Sequence, residues 1–172
     1  GSSAVRFRPG RRRAVIIGSM LLVIVVGYTL RAARYVPIWQ NNKTLFQAAV
    51  VITPDVPRVW YNLGFEFPQE GQLEKAIVAY RKARELLPTD QDSWAHEAAA
   101  LMQLGKWDEA KEPLAEALRL DPQDVISLIN SGMFWLHEDS LEIAAGQFEE
   151  ALDLDSTRTE AWYNLGVVRS RL

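Results

Sequence analysis

Residues of the same kind recur every 34 positions along most of this 172-residue chain, and that interval restricts the fold more than any other feature. Trp60, Trp94, Leu128 and Trp162 form one column, and Gly64, Ala98, Gly132 and Gly166 a second. Ala76, Ala110 and Ala144 form a third, and Phe46, Tyr80, Leu114 and Phe148 a fourth. Ala49, Ala83, Ala117 and Ala151 make a fifth, and Pro54, Pro88 and Pro122 a sixth. A fixed period of this length marks a helical repeat, whose units stack because none buries its apolar face alone. Small residues belong where the two antiparallel helices of a unit approach, and large ones fill the gap to the next unit. Proline has no N–H to donate, so it marks the exit from the second helix. The expectation is an all-α stack: a half repeat, full repeats at 57–90, 91–124 and 125–158, and a terminal helix.

The text Trp60-x-x-Leu63-Gly64-x-x-Phe67, followed by Ala76, Tyr80, Ala83 and Pro88, resembles the tetratricopeptide repeat. The resemblance covers about 44–172. Two departures from the pattern matter. Pro68 falls inside the expected first helix of 57–90 and should end it early or kink it. Repeat 125–158 carries Leu128 for Trp, Asp139 for Gly and Ser156 for Pro.

Charge divides the chain. Residues 1–43 hold Arg6, Arg8, Arg11, Arg12, Arg13, Arg31, Arg34 and Lys43 and no acid, a charge of +8, whereas 44–172 carry −11. Between the arginine groups, Ala14–Leu30 is a run of 17 uncharged residues. That is the lower limit for a membrane span, and a helix extended through Ala32 and Ala33 lets Arg31 and Arg34 snorkel. Its ten Ile, Leu and Val residues favour insertion by about 3–6 kcal/mol before polar costs. The expected domains are a basic segment at 1–13, a transmembrane helix at 14–35, a connector with a half-repeat helix at 36–56, and repeats at 57–172. Arg11, Arg12, Arg13, Tyr28, Arg31, Arg34, Tyr35 and Trp39 are the expected interface anchors. A cleaved signal peptide shares the basic start and apolar middle. The apolar run is long for one, however, no Ala-x-Ala site follows, and two arginines close it. The arginine excess before the helix places the N-terminus in the cytoplasm. The repeats then lie outside it, in a bacterial periplasm or an endoplasmic lumen. The chain has no cysteine, so redox chemistry says nothing of compartment.

Pro37 and Asn41-Asn42 mark a connector. Residues 43–53 read as the second helix of a repeat whose first helix would fall at 23–36. Thr157-x-x-Glu160 resembles a capping box opening the last helix. That helix, 161–172, stays apolar where a terminal repeat normally turns polar, so a partner or a continuing chain is expected to cover it.

No catalytic constellation emerges. Thiolate nucleophiles and zinc–thiolate sites are excluded without cysteine. His96 and His137 are 41 residues apart and read as ordinary helix positions. Glu149-Glu150 and the aspartates at 153 and 155 read as a solvated face. Asn42-Lys-Thr44 is a formal glycosylation sequon that reads as chance, and Ala14-x-x-x-Gly18 is a weak helix-packing pair. No cofactor, metal, nucleic acid or small-molecule substrate is implied.

In tetratricopeptide proteins the first helix of each repeat lines a concave face that binds extended peptides. The resemblance therefore points Tyr61, Phe65, Ala95, Ala99, Ile129 and Met133 inward, with Asn62, His96 and Asn130 beside them. The family's carboxylate clamp needs Lys, Arg and Asn. Tyr61, Phe65 and Ile126 stand there instead, so an apolar partner segment is expected rather than a C-terminal acid. Three functional readings follow. One is a non-enzymatic scaffold, anchored in the bilayer, that binds protein through this groove. Another rests on Arg31…Trp39-x-Asn41-x-x-Thr44-Leu45-Phe46…Pro54…Asn62-Leu63-Gly64, which resembles the junction in polytopic O-mannosyltransferase-type glycosyltransferases. The resemblance makes this chain their acceptor-binding or scaffolding tail, without the catalytic part. The last is an accessory subunit of a membrane complex, held by the apolar helix and the groove.

Overall fold

The computed structural model describes the backbone of residues 9–35 and 41–172, and the side chains of 19–32 and 41–172. It contains helices α1 (Pro9–Tyr35), α2 (Asn42–Ile52), α3 (Pro57–Glu66), α4 (Leu73–Leu86) and α5 (Gln91–Gln103). These are followed by α6 (Trp107–Leu120), α7 (Val125–His137), α8 (Leu141–Leu154) and α9 (Thr159–Arg171). No strand occurs among the described residues. Two compact units result, 1–45 and 46–172.

In the second unit the repeats pair α3 with α4, α5 with α6 and α7 with α8, and the columns explain how each pair closes. A side chain sixteen residues on seats itself against each small residue of the first helix. A Cβ on Gly64 would stand 2.7 Å from the Tyr80 ring, and one on Gly132 would stand 2.5 Å from the ring of Phe148. Those distances are inside van der Waals contact, so the two glycines let the helices approach. In the middle repeat Ala98 and Leu114 are both buried. Ala76, Ala83, Ala110, Ala117, Ala144 and Ala151 are wholly buried along the same seams.

The tryptophan column has a polar function too. The indole Nε1–H of Trp60 donates to the carbonyl of Pro54 at 2.8 Å, that of Trp94 to Pro88 at 2.9 Å, and that of Trp162 to Ser156 at 2.9 Å. Each bond spans six residues and ties a first helix to the turn before it. It also satisfies the indole donor. Leu128 cannot make it. A cavity of ≈ 190 Å³ lies at the same junction, between α6 and α7, lined by Leu114, Leu118, Ser131, Phe134 and Trp135 among others.

Turns within repeats are also in phase. Gly71, Gly105 and Asp139 all have left-handed backbone, with φ of 69°, 73° and 58°. After each, an amide reaches back five residues to a carbonyl, Gln72 to Phe67, Lys106 to Leu101 and Ser140 to Trp135, at 2.9–3.1 Å. This is the Schellman closure of a helix. Pro68 acts as expected: α3 stops at Glu66 and a short 3₁₀ turn, Pro68–Glu70, takes over.

Some expectations fail. Thr157 does not cap α9, whose N-terminal flank is Arg158 with no side-chain cap. The Asp155 carboxylate captures the Thr157 amide at 3.0 Å and its hydroxyl at 2.6 Å, with Arg158 Nε at 2.8 Å. A true cap appears instead on α7, where Asp124 accepts the Ser127 amide at 2.7 Å. Asn41 likewise accepts the Thr44 amide at 2.8 Å, which gives that stretch a helix-opening role.

Along α1 every described side chain, 19–32, is exposed. Among the described residues no helix is long and apolar enough to cross a membrane, and the expected span is not shown. Tyr28 and Arg31 are exposed. The side chains of Arg11, Arg12, Arg13, Arg34 and Tyr35, and the whole of Trp39, lie outside the described residues.

Asp139 occupies a position its sister repeats give to glycine. Asp139→Gly relieves the left-handed strain and loses only an exposed Arg171 pair, so it is expected to raise unfolding stability by about 1 kcal/mol, read as a higher urea midpoint.

Candidate interaction surface

First helices α3, α5 and α7 adjoin one another, and an aromatic group fills the angle between α3, α4 and α5. The His96 ring is its hub. It lies 5.4 Å from Tyr61, 5.8 Å from Phe65 and 5.6 Å from Tyr80, centroid to centroid. His96 Nδ1 is 2.8 Å from the Asp92 carbonyl, one turn back. A carbonyl only accepts, so Nδ1 carries the proton and donates. Tyr61 and Phe65 stack at 6.5 Å, and the Arg58 guanidinium covers the outer face of Tyr61 at 4.6 Å. Burial, with help from Asp92, pushes the Tyr61 phenol up to about 12; burial raises that of Tyr80 as well. Both therefore stay neutral and act as packing groups.

Beside this hub opens a cavity of ≈ 220 Å³, lined by Phe65, Pro68, Gln69, Tyr80, His96, Ala99, Ala100 and Gln103. Phe65 is 48% exposed. Of the six residues expected to face a groove, only Phe65 and Ala99 line this cavity. Tyr61, Ala95 and Ile129 are buried, and Met133 is half-buried. Of their neighbours, Asn130 is buried and its amide donates to the Ala95 carbonyl at 3.3 Å. It holds α7 to α5 rather than facing outward. Asn62 is half-buried, and His137, far from the cavity, stacks on Trp107 at 4.0 Å.

Residues 69–128 match the family model for the tetratricopeptide repeat. An uncharacterised protein of Methanocaldococcus jannaschii is 37% identical over 62 residues, 36% of this chain and 72% of that one. The chain belongs to the tetratricopeptide repeat family. The protein O-mannosyl-transferase TMTC3 of Homo sapiens is 23% identical over 103 residues, 60% of this chain but 11% of that one. Among solved structures, the first tetratricopeptide domain of Spaghetti (RPAP3), bound to an HSP90 peptide, superposes with a TM-score of 0.63 at 22% identity. The match covers 67% of this chain and 91% of that domain, and it is a likeness of fold.

One polar group of this tetratricopeptide array escaped the sequence reading. Glu97 is wholly buried. Its carboxylate takes Arg81 Nε at 2.6 Å and Arg84 Nε at 2.7 Å, one arginine on each oxygen. Arg84 in turn lies over the Trp94 ring at 4.0 Å, and Arg81 reaches Glu109 at 3.7 Å. The hydrogen bond to Glu97 is the main reason the Arg81 pKa is raised. This network joins α4 to α5, across the boundary between two repeats. A signal existed in the period. Position 97 stands in the column of Leu63, Ser131 and Leu165, and position 84 in that of Val50, Leu118 and Leu152. A charge enters each of these two uncharged columns, in residues that meet in space.

Removing Glu97 alone, as Glu97→Ala, empties a buried position and takes the shared acceptor from two partly exposed arginines, and is expected to cost about 2 kcal/mol. The double variant Glu97→Leu with Arg84→Leu restores both columns and should return to within about 1 kcal/mol of the parent. Chemical denaturation of the three proteins measures both; a double variant as weak as the single one would show that the ion pairs themselves hold the seam.

Proposed function

We propose that this chain is a non-enzymatic, membrane-anchored scaffold whose repeats hold an apolar, extended segment of a protein partner. The observation that carries the reading is the cavity at Phe65, His96, Ala99 and Gln103. There a repeat array that buries Tyr80 and half-buries His96 leaves a phenyl ring half in water, beside two amide side chains able to bond a peptide backbone. Tyr61 and His96 brace that ring from behind, so the site is built before a ligand arrives. Its function is positioning, through effective concentration at a surface.

Anchoring rests on the apolar run 14–30 and on the uncovered surface of α1, where Met20 to Val26 are all exposed. An uninterrupted apolar helix surface of that kind needs a cover. The arginine excess ahead of it supports a cytoplasmic N-terminus and repeats outside the cytoplasm, as in a bacterial periplasm. An accessory subunit of a membrane complex fits the same features. A second reading, the tail of a polytopic glycosyltransferase, is favoured by the likeness to the human O-mannosyl-transferase over 103 residues. This chain spans 11% of that protein, so its activity would reside elsewhere.

The whole chain, produced in membranes, tests both parts. It is expected to stay in the pellet after alkaline carbonate washing; release into the supernatant would end the anchoring claim. Solubilised in mild detergent, it is expected to select apolar peptides from a display library. Phe65→Ala and Ala99→Arg should each weaken capture about tenfold or more, with helicity unchanged. Equal capture by parent and variants would remove the cavity from consideration. Tyr61 is unsuitable for this purpose because its ring is core.

A further inference from the structure

The period puts equivalent positions in equivalent places, so the seams between repeats can be compared residue by residue. In the seam of α4 with α5, Glu97 takes Arg81 and Arg84 at 2.6 and 2.7 Å. In the seam of α8 with α9, Glu149 takes Arg169 at 2.8 Å. The seam of α6 with α7 lies between them and has neither arrangement. There Ala115 holds the position of Arg81 and Glu149, Leu118 that of Arg84, Ser131 that of Glu97, and Trp135 that of Arg169. Lys111 enters where the other two seams have Ile77 and Ala145. Ala115 and Ser131 are smaller than the charged residues they replace, and the cavity of ≈ 190 Å³ opens against both.

The polar groups of that cavity have nothing to bond. Ser131 is 3% exposed, yet its hydroxyl makes no hydrogen bond among the described residues. No sealed side-chain nitrogen or oxygen among those residues lacks a partner, so this hydroxyl reaches open space, and the cavity it lines supplies it. The Trp135 indole N–H has no acceptor among the described residues, while its ring stands edge-on to Phe134 at 5.5 Å. Lys111 is exposed and has no ion pair among the described residues. Ammonium and indole N–H groups only donate, and a hydroxyl can. No acid lines the cavity, and Leu114, Leu118 and Phe134 make its wall apolar. Three donors around an apolar hollow call for an anionic acceptor on an apolar body, the group that Glu97 and Glu149 supply in the adjoining seams.

We infer that this cavity binds a small arylalkyl monocarboxylate, its ring against Leu114, Leu118 and Phe134 and its carboxylate among Lys111, Ser131 and Trp135. The size agrees, since a dry cavity of about 150 Å³ holds a benzene ring. On α7 these positions project roughly opposite to Ile129 and Met133. The site is therefore separate from the Phe65 cavity and from positions 61, 65 and 126, where the family's carboxylate clamp would stand.

Equilibrium dialysis of the full chain in mild detergent against 3-phenylpropionate tests this, with protein-free micelles as the blank. Saturable binding is expected, with a dissociation constant of about 0.01–1 mM for a ligand of this size. 3-Phenylpropanol, the same body without the charge, should bind about tenfold more weakly or worse. Ser131→Leu places in the cavity the residue found at 63 and 165, and is expected to keep its helicity and lose binding. Lys111→Gln, on the surface, should erase the preference for acid over alcohol and leave the alcohol's affinity unchanged; it decides the matter alone if Ser131→Leu does not fold. Parent protein without saturable binding up to ~10 mM overturns the inference. So do equal affinities of the parent for acid and alcohol, a preference that survives in Lys111→Gln, and undiminished binding by folded Ser131→Leu, which would put the ligand elsewhere.

Discussion

Everything in the array rests on one close approach, a ring or branched side chain seated against a residue with little or no side chain, sixteen positions earlier. Gly64 receives Tyr80, Ala98 accompanies Leu114, and Gly132 receives Phe148. Because the first helix supplies almost no bulk at that point, the second can lie down on it, and the alanines at 76, 83, 110, 117, 144 and 151 then close the seam. Helix spacing, the angle of the turn and the presentation of the next first helix all follow from it. The indole bonds and the left-handed turns are accessories that fix the direction in which each unit hands over to the next.

Much of this was legible before any coordinates, for a physical reason. A repeat writes the same steric requirement several times, so glycine against aromatic, or proline six residues ahead of tryptophan, is seen as a column rather than guessed at one site. The place where α3 ends came from the fixed geometry of Pro68. What the period could not supply was depth. It said that Tyr61 and Phe65 lie on the same side of a helix, one turn apart. It did not say that Arg58 and His96 would close over the first ring while the second stayed open. Register gives direction, whereas exposure depends on neighbours from other elements.

Local competition explains another miss. Thr157 has a capping residue's chemistry, but Asp155 lies two residues away with a charged oxygen and takes both its amide and its hydroxyl. A motif is an offer, and the stronger acceptor decides it. The Glu97 network is the converse case, since its members break two different columns and become meaningful only when the columns are compared at the residues that touch. The relatives agree on the repeat while differing in what else their chains contain, which is the usual position of a fold that serves as a frame.

The absent indole at Leu128 has a mechanical consequence. In the tetratricopeptide array, stability is close to a sum of units and the seams between neighbours. Three seams carry a tryptophan tie to the preceding turn; that between α6 and α7 has none, meets more sparsely than α4 with α5 or α8 with α9, and is lined by an open cavity of ≈ 190 Å³. Forces or heat applied along the stack will concentrate at that joint, which divides the rod into a front block ending at Leu120 and a rear block beginning at Val125. A stack with one soft joint bends there, and the two blocks can tilt apart like covers on a spine while each keeps its own core.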